Sequence, residues 1–549
     1  MKKPIKVRTK IEAVIALCII GSLICASVVF SSTTKLGVDS VGDEWTFGWG
    51  MIRNSNDNTY QNTVANVFNA IYNLNSTGGT VWLPPEIFLI DQANGIKLYH
   101  NNITIIGYGC TLRKAEPVGS TVGQVFEIIG ADNITIKGIT FDQDKDNANH
   151  DSAAGYGLQW VARIGSNSKN IHIDDCSFIN GEENGIVTGG NTSNIFITNC
   201  FFDGFGEHPF YLDRTSNFFV DNCIVLNWAK FVRGYGPKVM RSDNIHFTDC
   251  YFEQNEDGTG HPVAGGLGDY GAYGAVLSNT NYTIFTRCEW KGDGSTNYDK
   301  SVVNIDDTTL NTSFLNCRFD NMGVISVNPS ISIVTTSEMI GCYFNSHSSG
   351  QSTKVFPLMK DCLIVDPYYI HVDVEHTKLV DCKIVNSSNQ YHGWLMDIRA
   401  DDVGLYGCEF YNWDYRGPYF NTGLNGSVIN CYWNRGTTSA AIKINSGTRM
   451  IGNYFDDVAG TGYTVGASGS GSIFTNNYIA STLNNNDFRA ALDKFSMVAN
   501  NMGLDCLIIP TANITSVSDV PGRMWFDTVN HRLYICESSG VWKHFDADN

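Results

Sequence analysis

Residues 171–178 read IHIDDCSF, and the same frame recurs as ITNCFF at 197–202, VDNCIV at 220–225 and FTDCYF at 247–252. Each copy has an apolar residue, two further residues, a cysteine, one more residue, and an aromatic or aliphatic one. The cysteines of this frame are Cys176, Cys200, Cys223, Cys250, Cys288, Cys317, Cys342, Cys362, Cys382, Cys408 and Cys431, at intervals of 20 to 38 residues. MIGNYF at 450–455 and FTNNYI at 474–479 continue the frame with asparagine in the cysteine position, and Asn501 follows. Upstream, Ile139 occupies the same position.

A repeat with a period in the twenties indicates a solenoid, in which each repeat buries its apolar face against its neighbours. Apolar residues alternate within 171–178, which is typical of strands with one buried face. Strands stacked in register predict a parallel β-helix, and the Asn and Gly residues between them supply left-handed corners. About fourteen rungs spaced by roughly 4.8 Å give a rod roughly 65 Å long.

In this register the thiols stack inside the coil. Stacked side chains point in parallel, and eleven cysteines cannot all pair, so a disulfide framework is disfavoured. A zinc site needs ligands that converge on one point, and no CxxC pair occurs. We therefore interpret the cysteines as buried, free and structural.

The sequence predicts three segments along the chain. Lys2, Lys3, Lys6, Arg8 and Lys10 precede an uncharged run at 13–30, so residues 1–32 are predicted to be a signal peptide or an N-terminal membrane anchor. The β-helix is predicted over 45–503, and helical spacing at 60–74 predicts an amphipathic capping helix. Residues 504–549 are predicted to form a C-terminal β-hairpin module.

The opening of the predicted coil resembles a known superfamily. A short helix, then GGTVWLPP at 78–85 and FLI at 88–90, is similar to the start of pectate-lyase-like right-handed parallel β-helix proteins. That superfamily includes polysaccharide lyases, glycoside hydrolases and viral tailspikes, so the resemblance implies an all-β, right-handed parallel β-helix. It also implies a polysaccharide ligand on the outside of the coil. Tailspike relatives often trimerise, so homo-oligomerisation remains open.

The candidate site lies in the densest polar stretch, residues 203–261. Aligning rungs places 185–187, 209–211 and 230–232 at equivalent positions, which brings Glu207, Asp213, Lys230 and Arg233 within a few rungs of one another. These four are the candidate catalytic residues. The candidate substrate-binding residues are His208, Tyr211, Arg214, Arg241 and Tyr235.

Two reactions are chemically open at such a site. Hydrolysis needs a carboxylic acid and a second carboxylate, for which Glu207 and Asp213 are the candidate pair. β-Elimination needs a base, for which Lys230 or Arg233 is the candidate, with Arg241 or Ca²⁺ neutralising a uronate. The paired aspartates and the Gly-His-Gly motif of the polygalacturonase type are absent, and an ordinary solvated charged surface is an equally good interpretation.

A spaced acidic loop offers the one candidate metal site. Asp142, Asp144 and Asp146 alternate after a predicted strand, which suits Ca²⁺, but the bidentate glutamate of an EF-hand is missing because position 153 is alanine. An ordinary acidic loop is the alternative.

The leading functional hypothesis is an extracellular or cell-surface protein that binds polysaccharide, and whether it also cleaves it, as a lyase or a glycoside hydrolase, is left open. The alternative is a non-catalytic adhesin, spike or structural envelope component. The net charge of −18 argues against a nucleic-acid partner, and contact with a membrane is expected only through the N-terminal segment.

Overall fold

The computed structural model describes the chain from residue 51 onward, with gaps. The described ranges are 51–56, 58–74, 77–90, 95–115, 124–144, 160–228, 234–253, 272–292, 303–305, 309–320, 325–327, 337–345, 352–354, 356–367, 369–386, 394–412, 416–436, 442–458, 465–467, 471–480, 495–499, 501, 524–527, 532–538 and 541–546. The predicted signal or anchor at 1–32 lies outside these residues. Within them, no helix has the length and apolarity needed to cross a membrane.

The chain forms a right-handed parallel β-helix, as the cysteine frame and the resemblance predicted. Each rung contributes strands to three parallel sheets. The first sheet carries the residues before the cysteine position, the second carries those after it, and the third closes the coil. Ile103–Lys114 and Asp132–Asp142 each run through the corner between the first and second sheets.

The first sheet also contains Gly79–Trp82, Lys169–Asp174, Thr192–Thr198, Thr215–Asp221, Asp243–Thr248, Asn281–Thr286, Leu310–Leu315, Glu338–Ile340, Leu358–Lys360, Lys378–Val380, Gly404–Tyr406, Ser427–Ile429, Arg449–Ile451, Ser472–Thr475 and Phe495–Ala499. The second contains Ile87–Ile90, Ser177–Gly181, Phe201–Phe205, Ile224–Leu226, Tyr251–Glu253, Glu289–Lys291, Arg318–Asp320, Tyr343–Asn345, Leu363–Val365, Lys383–Val385, Glu409–Tyr411, Tyr432–Gly436, Tyr454–Val458 and Tyr478–Ile479.

The third sheet has two groups of strands. The first group is Ile96–Leu98, Phe126–Ile129, Trp160–Gly165, Asn184–Thr188, His208–Asp213, Pro237–Met240, Ala275–Ser278, Val303–Ile305 and Ile325–Val327. The second group is Ser352–Lys354, Tyr369–Val372, Trp394–Ile398, Arg416–Phe420, Ile442–Ile444 and Val465–Ala467. A separate short pair joins Gly234–Tyr235 to Ala272–Tyr273.

The front end of the coil is covered by a strand and a helix. Ile52–Asn54 pairs antiparallel with both Thr59–Tyr60 and Gly79–Trp82, so the first strand of the coil has no open edge there. Helix α1, Val64–Tyr72, begins after the N-cap Thr63, whose hydroxyl accepts the backbone N–H of Asn66 at 3.3 Å. This is the predicted capping helix, shorter at both ends than 60–74.

The C-terminal segment contains one strand more than the predicted hairpin. Met524–Asp527 and Arg532–Ser538 pair antiparallel, as a hairpin would, and Val541–Asp546 then pairs with the second of them. The result is a three-stranded antiparallel sheet, because the chain turns once more after Ser538.

The cysteine position forms a continuous buried ladder. All eleven cysteines of the frame are free and buried, and Cys110, which the frame did not include, opens the same column opposite Ile139. Each thiol lies beside backbone oxygens: Cys200 Sγ is 3.1 Å from the carbonyl of Thr198 and 3.7 Å from that of Ile173 in the preceding rung. Burial raises the pKa of the Cys110 thiol to about 12, which keeps it protonated.

The asparagines that follow show what this ladder position does. The Asn453 side-chain oxygen accepts the backbone N–H of Cys431 at 3.0 Å, and its amide donates to the carbonyl of Val428 at 3.0 Å and to Asn477 Oδ1 at 2.9 Å. In the cysteine part of the column, the Cys200 backbone N–H donates to Cys223 Sγ at 3.4 Å. The ladder side chain therefore satisfies backbone groups that a sharp corner removes from the sheet.

At every ladder position from 110 to 477, the residue just before it has a left-handed backbone. Its occupants are Gly109, Gly138, Asp175, Asn199, Asn222, Asp249, Arg287, Asn316, Gly341, Asp361, Asp381, Gly407, Asn430, Gly452 and Asn476, all with positive φ. Asn, Asp and Gly tolerate this conformation, and Arg287 with φ 52° is the exception. The second variable residue of the repeat is therefore a fixed structural position.

Stacked rings fill the space between the sheets. Trp290 stacks on Phe252 and on Phe319 with ring centroids 4.9 and 5.0 Å apart, and Phe319 continues to Phe344 at 4.8 Å. The spacing equals that of the rungs, because each aromatic side chain occupies the same position in successive rungs. The interior is thus packed with side chains, which leaves the outer surface for ligands.

Candidate functional site

One strand of the third sheet, His208–Asp213, carries three of the described candidate residues, His208, Tyr211 and Asp213, and Glu207 directly precedes it. Register pairs Trp160 with Asn184 and Asn184 with His208, so these three side chains stand in one column on consecutive rungs. The next rung continues this column with Tyr235, whose backbone N–H donates to His208 Nδ1 at 2.9 Å. We call Trp160, Asn184, His208 and Tyr235 the polar column.

Three atoms of the polar column are buried without a directed hydrogen bond. They are Trp160 Nε1, Asn184 Oδ1 and His208 Nε2, and they lack such a partner among the residues that the structure describes. The three residues are 7%, 6% and 0% exposed. His208 Nε2 lies 3.1 Å from Glu207 Oε1, a close ionic contact without the alignment of a directed hydrogen bond. Buried polar atoms in native proteins are usually satisfied, so this concentration within three rungs is unusual.

A second column lies beside the first one on the same strands. Register places Tyr211 opposite Lys238, and the Lys238 ammonium lies 4.6 Å from the centre of the Tyr211 ring and 5.9 Å from that of Tyr235. Such distances are within the range of a cation–π interaction. Lys238 belongs to the dense polar stretch, but the rung alignment from sequence did not place it here.

That alignment was wrong for the third of its rungs. The structure pairs Phe210 with Pro237 and Tyr211 with Lys238, whereas the sequence alignment had placed 230–232 opposite 209–211. The first part was correct, since Ile186 pairs with Phe210. Lys230 and Arg233 lie outside the described residues, so their proposed roles remain predictions.

The charges around Glu207 favour its ionised form. Burial raises the pKa of the Glu207 carboxyl, but His208, Lys238 and the amide of Asn184 together outweigh burial and hold that pKa below its ordinary value. Burial lowers the pKa of His208, and Glu207 offsets only part of this effect. His208 is therefore neutral, and because Nδ1 accepts from Tyr235, its proton is on Nε2, facing Glu207. Burial also lowers the pKa of Lys238, against the pull of Glu207.

Asp213 lies at the far end of the same strand and is already bound. Arg241 donates to its two carboxylate oxygens from Nε and Nη2, at 2.7 Å each. Six residues of extended chain separate Glu207 from Asp213, roughly 20 Å between Cα atoms. Glycosidase carboxyl pairs are roughly 5 to 9.5 Å apart, so this separation does not support the Glu207–Asp213 pair as acid and base. Arg214 is exposed at the corner just beyond, with φ 52°.

Asp142, the first carboxylate of the acidic stretch 142–146, is bound by donors within the protein. Asp142 Oδ1 accepts the backbone N–H of Asp144 at 2.9 Å and the amide of Asn180 at 3.0 Å, while Oδ2 accepts Arg113 Nε at 2.8 Å. A carboxylate committed to three donors is poorly suited to bind Ca²⁺. The described residues contain no set of three acidic, histidine or cysteine side chains placed to hold a metal, and Asp146 is outside them.

Sequence reasoning missed Trp160 and Asn184. Trp160 follows a stretch with no recognisable repeat, so nothing in the sequence assigned it to a rung. Asn184 had a usable signal, because it directly precedes the aligned segment 185–187, just as His208 directly precedes 209–211 in the next rung.

Comparison with known proteins shows similarity at the level of fold. No protein-family model and no curated protein matches the chain. Among solved structures it is similar to the N-terminal fragment of gene product 12 of bacteriophage Phi29, with 11% identity and a TM-score of 0.41 over 79% of this chain and 89% of that one. A tailspike protein mutant of E. coli bacteriophage HK620 in complex with a pentasaccharide has 12% identity and a TM-score of 0.37, covering 82% and 78%. PfbA, a surface adhesin of Streptococcus pneumoniae, has 12% identity and a TM-score of 0.26, covering 88% and 95%.

The matched structures are parallel β-helix proteins, but the fold of this chain is shown by its own parallel strands rather than by these matches. The function of this chain has to be argued from its own residues.

Proposed function

We propose that the outer surface of the third sheet, around the polar column, binds a polysaccharide. The observation that carries this proposal is a pair of buried atoms without hydrogen-bond partners among the described residues, on consecutive rungs: a donor on Trp160 and an acceptor on Asn184. Sugar hydroxyls both donate and accept hydrogen bonds, and they recur along a chain as rungs do along the coil. The aromatic faces of Tyr211 and Tyr235 lie beside them and suit the apolar faces of sugar rings.

A surface location follows from the same proposal. The basic residues 2–10 and the apolar run 13–30 support export, and polysaccharides of the envelope and its surroundings are the ligands available there. Whether the segment is cleaved or retained does not change the binding site, which begins more than a hundred residues later along the chain.

Binding is better supported than cleavage by hydrolysis. The low pKa of Glu207 keeps it ionised, whereas a general acid needs a raised pKa, and both oxygens of Asp213 are held by Arg241. One observation favours a second candidate function, β-elimination: the lowered pKa of Lys238 brings its amine closer to the range of a general base. A lyase of this kind would take a uronate polymer.

The binding proposal is tested by Trp160→Phe, which keeps the buried ring and removes only the Nε1 donor. Affinity for a bound polysaccharide from a panel of neutral and acidic polymers should fall by roughly two- to tenfold, the value of one hydrogen bond. Ser177→Ala, on the second sheet of a neighbouring rung, is the matched control and should leave affinity unchanged. Equal affinities of Trp160→Phe and the parent chain would refute the site.

The same incubation separates binding from cleavage. Unsaturated uronates absorb in the ultraviolet and new reducing ends are measured chemically, so either signal would reveal turnover. If turnover of an acidic polymer occurs and Lys238→Met abolishes it, β-elimination replaces simple binding as the function. Retained binding with neither signal supports the adhesin class.

A further inference from the structure

The second group of strands in the third sheet contains another buried polar cluster, which no sequence pattern indicated. Register pairs His371 with Asp397, Asp397 with Tyr419, and Tyr419 with Lys443, so four polar side chains lie on consecutive rungs. Asp397 is flanked by Met396 and Ile398, which are both 0% exposed in the core. Its own side chain therefore points to the outside of the coil.

Asp397 is nevertheless 2% exposed, and only one of its oxygens has a partner. Arg399 Nε donates to Oδ2 at 2.7 Å. Oδ1 is buried and has no hydrogen-bond partner among the residues that the structure describes. This carboxylate oxygen belongs to a side chain that faces the outside of the coil, and it has no donor although it is buried. It is therefore suited to accept a hydrogen bond from a ligand.

The charges of this cluster balance. Arg399 also lies 4.0 Å from Asp373, so one guanidinium faces two carboxylates, and Lys443 supplies the second positive charge one rung beyond Tyr419. With two carboxylates and two cations the cluster carries no net charge, so its field does not favour an ionised ligand over a neutral one. The hydrogen bond that remains to be filled requires a donor, which a sugar hydroxyl provides.

The arrangement at the polar column recurs here. Lys443 lies 4.5 Å from the centre of the Tyr419 ring, and Lys238 lies 4.6 Å from that of Tyr211, in both cases with tyrosine and lysine as register partners on adjacent rungs. Acid and base also balance at the first site, where Glu207 and Asp213 oppose Lys238 and Arg241. Both sites therefore favour the same class of ligand.

We propose that the Asp397 cluster is a second binding site for the same polysaccharide, and that this polysaccharide is neutral and hydroxyl-rich. This inference rests on the proposed function. Seven rungs separate the strand of His208 from that of Asp397, roughly 34 Å at the usual strand spacing. A polymer that lies along the third sheet contacts both sites, and each site raises the effective concentration of the polymer at the other.

The experiment uses the full chain and measures affinity for neutral dextran, galactomannan and xylan, and for acidic polygalacturonate and hyaluronate. For the neutral polymer bound most tightly, short fragments and long chains are compared. Long chains should bind at least a hundredfold more tightly than fragments too short to reach both sites. Asp397→Asn and Trp160→Phe should each weaken binding of the long chain, and the double variant should bind it no better than a short fragment.

Asp249→Asn is the matched control, since it removes another aspartate that is paired to an arginine, Arg287, and it should leave affinity unchanged. Tyr419→Phe, which removes one hydroxyl, provides a second variant, and urea midpoints confirm that each variant is folded. If Trp160→Phe weakens binding while Asp397→Asn and Tyr419→Phe do not, the second site is refuted and the proposed function stands. Tighter binding of an acidic polymer refutes the neutral class, and failure of all five polymers to bind refutes both proposals.

Discussion

Replacing Asn453 with alanine should destabilise the coil through backbone groups, although no strand residue changes. The side chain is fully buried, and it accepts the Cys431 N–H at 3.0 Å and donates to the Val428 carbonyl at 3.0 Å. Alanine leaves both groups without that partner inside the coil. A buried unsatisfied polar group costs roughly 1 to 3 kcal/mol, so we expect a loss of about 3 kcal/mol in the free energy of unfolding.

Two measurements check this expectation. Urea unfolding gives the change in free energy, and hydrogen exchange reports the Cys431 amide, whose protection should fall most strongly. The matched control is Asn453→Cys, because a thiol fills the same position in the rungs before it, and Cys431 Sγ itself lies 3.4 Å from the Leu405 carbonyl. Cysteine should cost less than half as much as alanine. Equal stability of the alanine variant and the parent chain, within about 0.5 kcal/mol, would refute the role assigned to the ladder position.

Three further predictions concern the corner, the titrating groups and the thiols. Arg287→Asn should raise the free energy of unfolding by about 0.5 kcal/mol, because asparagine tolerates a φ of 52° better than arginine does. The substitution also removes the ion pair with Asp249, but that pair is exposed and contributes little. A lower Tm in thermal unfolding would contradict this prediction. Burial lowers the pKa of His208 below 6.5, so below that pH the unfolded chain binds the proton more readily and stability falls with acidification. The urea midpoint of His208→Asn should depend less on pH between about 6.5 and 5 than that of the parent chain, and an unchanged slope would argue against a neutral, buried imidazole. The twelve buried cysteines should not react with a thiol reagent at pH 8 in the native chain and should all react in urea, whereas rapid native labelling of Cys110 would contradict its raised pKa of about 12.

The repeat predicted the first two sheets well because buried positions fix their register. Each rung must place one side chain in the ladder, so the cysteine frame specified which residues of neighbouring rungs lie opposite one another. Cys110 escaped detection for a physical reason: the register shifts between Ile106 and Cys110, which places extra residues at the corner and disrupts the spacing of the frame. The left-handed residue before the ladder was visible in the sequence as a column of Asn, Asp and Gly.

The third sheet was harder to predict because no ladder residue fixes its position along the chain. The segment between the ladder and this sheet varies in length, so Lys230–Val232 was aligned where Pro237–Met240 lies. The candidate residues Glu207, His208, Tyr211 and Tyr235 lie together in the structure because they are close to correctly aligned rungs, and their roles remain predictions. Asp397 was missed, although a charged residue within the otherwise apolar strand Trp394–Ile398 indicates an unusual position in the sheet.

The left-handed corner has a consequence for how such a chain diverges. The corner between the first and second sheets consists of two adjacent residues, the left-handed one and the ladder one, and the ladder side chain bonds to backbone groups of its own and the neighbouring rungs. Extra residues inserted between the second and third sheets leave both contacts intact, and the entropic cost of a longer loop rises slowly with its length. The intervals of 20 to 38 residues between ladder cysteines fit this tolerance. The outward-facing residues of one rung can therefore be replaced while the coil is kept. In such chains, sequence similarity is lost long before the backbone fold changes.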